Sequence, residues 1–265
     1  MRKVLFVGNH RYDDFHGAVE WLDRNSCLTL AKDATGAREQ IGESELCPEL
    51  IVLAQSHPGQ FTCSAVERLA GLVPLSRLVM LLGSWCESET RIGEPCPGVT
   101  RLYWHQFSAR LTREFLQGEA PPDSTWDLPR TCTTSEQWLT LSATPVNRQT
   151  DQKRLLAIRT ETLDSYQTLA DALNHLGFAT AWVSPGQRPF VSGIWAGIWD
   201  SAMLNADDTS RLQEFRAWLG PAPMIALVNF PRVSDWYRLR SLGVSAVLGK
   251  PCALSDLTSL LSETQ

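Results

Sequence analysis

Near the C-terminus the apolar run SAVLG leads into Lys250-Pro251, and fifty residues earlier the run GIWAGIW ends in Asp200. A lysine at the C-terminal edge of a parallel sheet points into the crevice where such sheets bind ligands, and a carboxylate on a nearby strand end would lie within its reach. The couple reads in two ways, as a reaction centre or as an ion pair holding two strand ends together. The Lys-Pro piece also has the make-up of a plain turn, because Pro251 cannot extend a strand ladder and Gly249 permits an abrupt bend. Other chemistry is sparsely signalled. His10, His16, His57, His105 and His175 show no metal-ligand spacing. "GNH" and "QSHPGQ" bring His10 and His57 to one sheet edge, as an enzyme would need, but no serine or cysteine nucleophile motif accompanies them. No glycine-rich phosphate loop follows either first strand, so neither a cofactor nor a metal is expected.

These residues need a sheet to position them, and the sequence supplies the pattern for one twice. In the first half the runs KVLFV (3–7), CLTLA (27–31), ELIVLA (49–54), RLVMLLG (77–83) and TRLYW (100–104) read as strands. Segments with helical spacing alternate with them, including GAREQIGE (36–43), SAVERLAGL (64–72) and SARLTREFLQG. Continuous apolar runs suit strands buried on both faces, and the alternation implies a parallel sheet between helical layers. Residues 119–152, rich in Pro, Ser and Thr, break the rhythm and read as a linker, which Trp126 and Trp138 should pack along a domain surface. The rhythm then restarts with RLLAI (154–158), FATAWV (178–183), GIWAGIW (193–199), MIALV (224–228) and SAVLG. Gly177 stands where a helix C-cap glycine belongs, and Thr209 or Ser210 is the expected N-cap of TSRLQEFRAWLG. Between 183 and 193 the segment SPGQRPFVS is too short for a full helix, and forms either a binding edge or a shortened connection.

Composition bounds the partners. A net charge of −5 over 265 residues argues against nucleic acid or an anionic membrane as the main partner. No apolar run reaches the length of a membrane span, and MRKVLFVGNHRYDDF turns polar too soon for a signal peptide. The seven cysteines, Cys27, Cys47, Cys63, Cys86, Cys96, Cys132 and Cys252, contain no C-x-x-C pair and read as reduced, mostly buried thiols in a cytoplasm. The ten tryptophans are many for this length and include candidates for an interaction surface.

In both halves the chain resembles the receiver domain of two-component response regulators. The second half carries the better match: Asp200 ends its third strand, Met203 follows three residues later, and RSLGVSAVLGKP resembles the family's approach to its lysine. The resemblance implies strand order 2-1-3-4-5 and phosphoryl transfer to Asp200. It also implies an acidic pair after the first strand to hold Mg²⁺, a Thr or Ser after the fourth, and Lys250 after the fifth. The second half departs from this pattern. The acidic pair falls on Arg159-Thr160, with Glu161 next along, and the hydroxyl position falls on Val228, with Asn229 beside it. An arginine at a cation site repels the metal, and Arg159 is expected either to replace it by pairing with Asp200 or to be a solvated strand-end residue. In the first half the acidic pair becomes Gly8-Asn9, the acceptor becomes Ala54 and the lysine position falls near His105, with Ser84 left to stand for the hydroxyl.

The expected architecture is α/β: two flavodoxin-like (receiver-like) three-layer domains, each with a five-stranded parallel sheet, over 1–118 and 153–265. The expected function is a non-enzymatic, cytoplasmic signalling or protein-interaction module. Its partner would be another signalling protein, and its two pseudo-receiver domains would pair within the chain. Two alternatives stand beside it: an atypical response regulator phosphorylated on Asp200, and a small-molecule binder or enzyme using the sheet-edge crevice.

Overall fold

The computed structural model describes residues 2–43, 47–89, 93–116, 124–126, 128–129, 131–142, 154–186 and 190–263. The chain divides into two compact units, Met1–Ala143 and Thr144–Gln265. Each is built on its own five-stranded parallel sheet.

In the first unit the strands are β1 (Lys3–Val7), β2 (Cys27–Ala31), β3 (Leu50–Gln55), β4 (Arg77–Leu82) and β5 (Val99–Tyr103), in spatial order β2-β1-β3-β4-β5. Strand β3 is buried along its whole length, which is why LIVLAQ shows no polar alternation. Alternate residues of the strands feed two layers. Leu5, Val7, Ile51 and Leu53 pack with Ala37, Ile41, Val66 and Leu69 of helices Ala34–Glu43 and Cys63–Leu72. Phe6 turns the other way, edge-on to Phe15 of helix Asp13–Asn25, whose Trp21 meets Phe107 and Phe115. The closing helix begins at Phe107–Leu111 and continues as π-helix over Thr112–Leu116.

The second unit repeats the plan with β6 (Leu155–Arg159), β7 (Ala179–Val183), β8 (Ile194–Ser201), β9 (Met224–Asn229) and β10 (Ala246–Lys250), in order β10-β9-β8-β6-β7. Counted within the unit, this is again 2-1-3-4-5, the flavodoxin-like winding. Ala157, Trp199, Ala226 and Val228 pack on one face with Leu212, Phe215 and Leu219 of helix Ala206–Leu219 and Leu239 of helix Val233–Ser241. The alternate positions Leu156, Ile158, Ile198, Ile225 and Leu227 are equally buried, and helices Leu163–His175 and Leu254–Glu263 contribute the buried Leu173, Leu257 and Leu261. Gly177 takes φ 88° just past the first of these helices, as a C-cap glycine should.

Several local expectations change. Helix Ala206–Leu219 starts earlier than its apolar pattern suggests, because Asn205 and Asp208 form a reciprocal capping box that fixes the N-terminus ahead of Thr209 and Ser210. Gly249 does not bend the chain. It pairs with Val228 inside β10, and the turn falls at the cis Lys250-Pro251 bond. Part of the expected linker is helical, over Thr134–Ser142, and Trp126 is buried beside Phe115. The side chain of Trp138 and residues 117–123 and 143–153 lie outside the described residues.

The cysteine reading is corrected. Cys63, which opens a helix, and Cys96, in the approach to β5, form a disulfide with Cα atoms 5.2 Å apart. Cys27 and Cys47 are exposed rather than buried. Cys86 alone among the free thiols is fully buried, and burial raises its pKa to about 11. Disulfides belong mainly to oxidising compartments, so cysteine usage no longer argues for the cytoplasm. Among the described residues no helix is long and apolar enough to cross a membrane.

Candidate functional site

Strands β8, β9 and β10 end side by side, and their register decides which side chains meet. Asp200 pairs with Leu227, Leu248 with Leu227, and Lys250 with Asn229. Register partners in a parallel sheet share a face, and successive residues alternate. Asp200, Asn229 and Lys250 therefore lie on one face. Arg159, paired with Trp199, and Val228, paired with Ser201, lie on the other.

On the first of these faces Lys250 Nζ donates to Asp200 Oδ1 at 2.5 Å, with the two side chains 28% and 12% exposed. The sequence-level couple is thus a direct, half-sheltered ion pair. Asn229 is exposed at the adjoining strand end, and Phe230 after it adopts φ 42°.

The other expected site residues are engaged elsewhere. Arg159 fulfils neither expectation: it is 8% exposed, and no ion pair joins it to Asp200. Its Nη1 donates to the carbonyls of Thr160 at 2.9 Å and Val183 at 3.3 Å, and its guanidinium lies 5.6 Å from the Trp199 ring centroid. Burial, then the nearby Arg211, lowers its pKa below the usual guanidinium range. Thr160 is buried, with its hydroxyl donating to the Thr162 carbonyl and accepting from Trp182 Nε1. Glu161 is exposed and faces Arg211 at 3.8 Å. Val228 is a core residue.

This donor set does not suit Mg²⁺, the ion the receiver resemblance implies. Such sites need oxygen ligands in near-octahedral array, usually anchored by one or two carboxylates. Here Asp200 Oδ1 is taken by an ammonium, and the nearest replacement carboxylate points to an arginine. Among the described residues no group of three or more His, Cys, Asp or Glu could hold a metal.

The corresponding edge of the first unit keeps less of the pattern that the resemblance implies. Gly8 takes φ 133°, and a Cβ there would stand 2.7 Å from the Ala54 carbonyl oxygen, so no side chain fits at that position. Ala54 is buried and brings no functional group. Ser84 donates both its N–H, at 2.6 Å, and its hydroxyl, at 2.9 Å, to Asp14 Oδ2. Asp14 is a buried carboxylate that the sequence reading passed over, although adjacent acids opening a helix after the first strand were a signal for it. Glu87 lies near enough to feel it: burial, then Asp14, raises the Glu87 pKa. His105 is sealed between Tyr103 and Trp104, and burial holds its pKa down at about 3. His10 and His57 share no hydrogen bond, and His57 is exposed with its ring nitrogen near the Pro58 carbonyl.

No protein-family model and no curated protein matches the chain. Among solved structures it is similar to the E. coli RcsC C-terminus containing a linker region and phosphoreceiver domain, at 16% identity and TM-score 0.35, over 99% of this chain and 92% of that one. A putative two-component system response regulator/GGDEF domain protein aligns at 13% identity and TM-score 0.35, covering 100% and 98%. D-2-hydroxyisocaproate dehydrogenase aligns at 10% identity and TM-score 0.25, covering 92% and 77%. Likeness this loose says nothing about the site, and the flavodoxin-like assignment rests on the order of the two sheets.

Proposed function

We propose that the chain is a non-enzymatic signalling module, two pseudo-receiver domains in tandem that present surfaces to another signalling protein. The observation that carries this reading is what surrounds the Lys250–Asp200 pair: Arg159 and Val228, at the positions the resemblance gives to the acidic pair and the hydroxyl, belong to the opposite face of the sheet, and among the described residues no group of three or more His, Cys, Asp or Glu could hold a metal. A receiver without a metal cradle and without a hydroxyl at its fourth strand end lacks the parts that phosphoryl transfer requires. Its surface is then either fixed or biased by partner binding instead of phosphate. Apolar side chains just past the same strand ends support a docking role: Met203 is 75% exposed and Phe230 42%.

Incubation with acetyl phosphate and Mg²⁺, followed by intact mass measurement, tests the reading. No phosphoryl adduct is expected. An adduct that requires Mg²⁺ and disappears in Asp200→Asn would replace this proposal with a phosphorylated response regulator.

A further inference from the structure

In the first unit the connection that leaves β4 begins with a short 3-10 turn, Ser84–Cys86, and this turn is fastened at three points. Ser84 donates its N–H and its hydroxyl to Asp14 Oδ2 at 2.6 and 2.9 Å. The buried Cys86 thiol donates to the Gln55 carbonyl at 3.4 Å, and the Tyr103 hydroxyl donates to the Glu87 carbonyl. Between the first two fastenings Trp85 stands 74% exposed, with its indole beside the Tyr12 hydroxyl. An indole held out into water by a backbone already ordered has the make-up of an interface anchor. Covering it removes a large apolar area from water, and little ordering of this chain remains to oppose that gain.

Charge around the indole selects the partner. Asp14 is 5% exposed and bonds to the neutral Ser84, Glu87 is half-buried, and Asp13 is exposed. Among the described residues no ion pair joins any of the three to a cation. Burial, then the charge of Asp14, raises the Glu87 pKa, so like charges face each other here uncompensated. Glu89 is set apart from them because it faces Arg101, and Arg11, on the loop that carries Tyr12, is exposed. Three carboxylates against one arginine leave a negative surface about the tryptophan, which favours a cation. An arginine meets both demands, since its planar guanidinium stacks on an indole while its N–H groups reach a carboxylate.

We propose that the Trp85 turn is a docking surface for a basic segment of a partner protein, with an arginine of that segment over the indole and against the Asp14 and Glu87 carboxylates. This rests on the reading of the chain as an interaction module. The acetyl phosphate assay reads the second unit and the experiment below reads the first, so the two fail separately. Calorimetry on the full chain at low ionic strength uses an amidated tetra-arginine peptide as the probe, beside tetra-lysine. Saturable binding of one tetra-arginine per chain is expected, with tetra-lysine about threefold or more weaker. Trp85→Leu, at an exposed position that the fold does not depend on, should weaken tetra-arginine binding about fivefold or more. Glu87→Gln keeps the carbonyl that Tyr103 engages and should weaken it about threefold or more. Glu39→Gln, the same charge change at an exposed position of helix Ala34–Glu43, should leave it unchanged. Absence of saturable binding up to ~5 mM overturns the proposal. So does undiminished binding in Trp85→Leu, an equal loss in Glu39→Gln and Glu87→Gln, or tetra-lysine binding as tight as that of tetra-arginine. Self-association in sedimentation that Trp85→Leu abolishes overturns it as well, because a second copy of this chain is then the occupant.

Discussion

Acid should loosen the first unit through His105 in particular. Its imidazole is 5% exposed, neither ring nitrogen has a hydrogen-bond partner, and its pKa is about 3, against about 6.5 for an unfolded histidine. A base whose folded pKa is depressed binds more protons unfolded than folded between those two values. Stability from this residue is therefore complete above pH 6.5 and falls as pH drops towards 3. At pH 5.0 the loss is about 2 kcal/mol, which is 1.5 pH units at about 1.36 kcal/mol each. Glu87 and Glu114 work the other way, because burial raises both of their pKa values and so favours the fold as they protonate. Comparison with His105→Phe separates the contributions, since that variant keeps an aromatic ring against Tyr103 and Trp104 and cannot titrate. Hydrogen exchange in the β3 peptide, corrected for intrinsic rates, reads the opening of this unit. Between pH 7.5 and 5.0 its protection should fall about thirtyfold more in the natural protein than in His105→Phe. Equal pH dependence in the two proteins would refute the argument.

Peptide mapping without reductant should recover Cys63 linked to Cys96. Replacing both by alanine should cost the first unit about 3–4 kcal/mol in urea unfolding, from the 33-residue separation that the bond closes. Gly8→Ala should destabilise the same unit by about 2–4 kcal/mol, since its Cβ would collide with the Ala54 carbonyl in a backbone conformation that side chains rarely adopt. A loss below about 0.5 kcal/mol would show that the strand ends yield more easily than their packing implies.

The sheets were legible because doubly buried strands leave long apolar runs, and the number of residues between β7 and β8 was enough to show that a helix was missing. Asp200 and Lys250 were legible for the same reason, as polar residues ending such runs. Side-chain direction was harder to read. Arg159 follows Ile158 as Asp200 follows Trp199, and proximity at the sheet edge suggested a pair. The two residues differ in parity once Arg159 is registered with Trp199, and this sends them to opposite faces. Pairings across long separations left no local trace. Asp14 to Ser84 spans 70 residues, and Cys63 to Cys96 has no short motif to announce it. Capping was misplaced because Asn205 and Asp208 act before the apolar periodicity begins.

The close approach of Gly8 to Ala54 bears on which sequences this chain can reach by small steps. An aspartate at position 8 would need β1 to leave its positive-φ exit and β3 to withdraw a carbonyl that now lies 2.7 Å from where the Cβ would go. Neither change follows from replacing one residue. Every intermediate carrying the carboxylate before the backbone has moved bears the steric cost with nothing to offset it. For the first unit a carboxylate at position 8 is closed to single substitutions, and neighbouring sequences are ones that elaborate this edge in its present form.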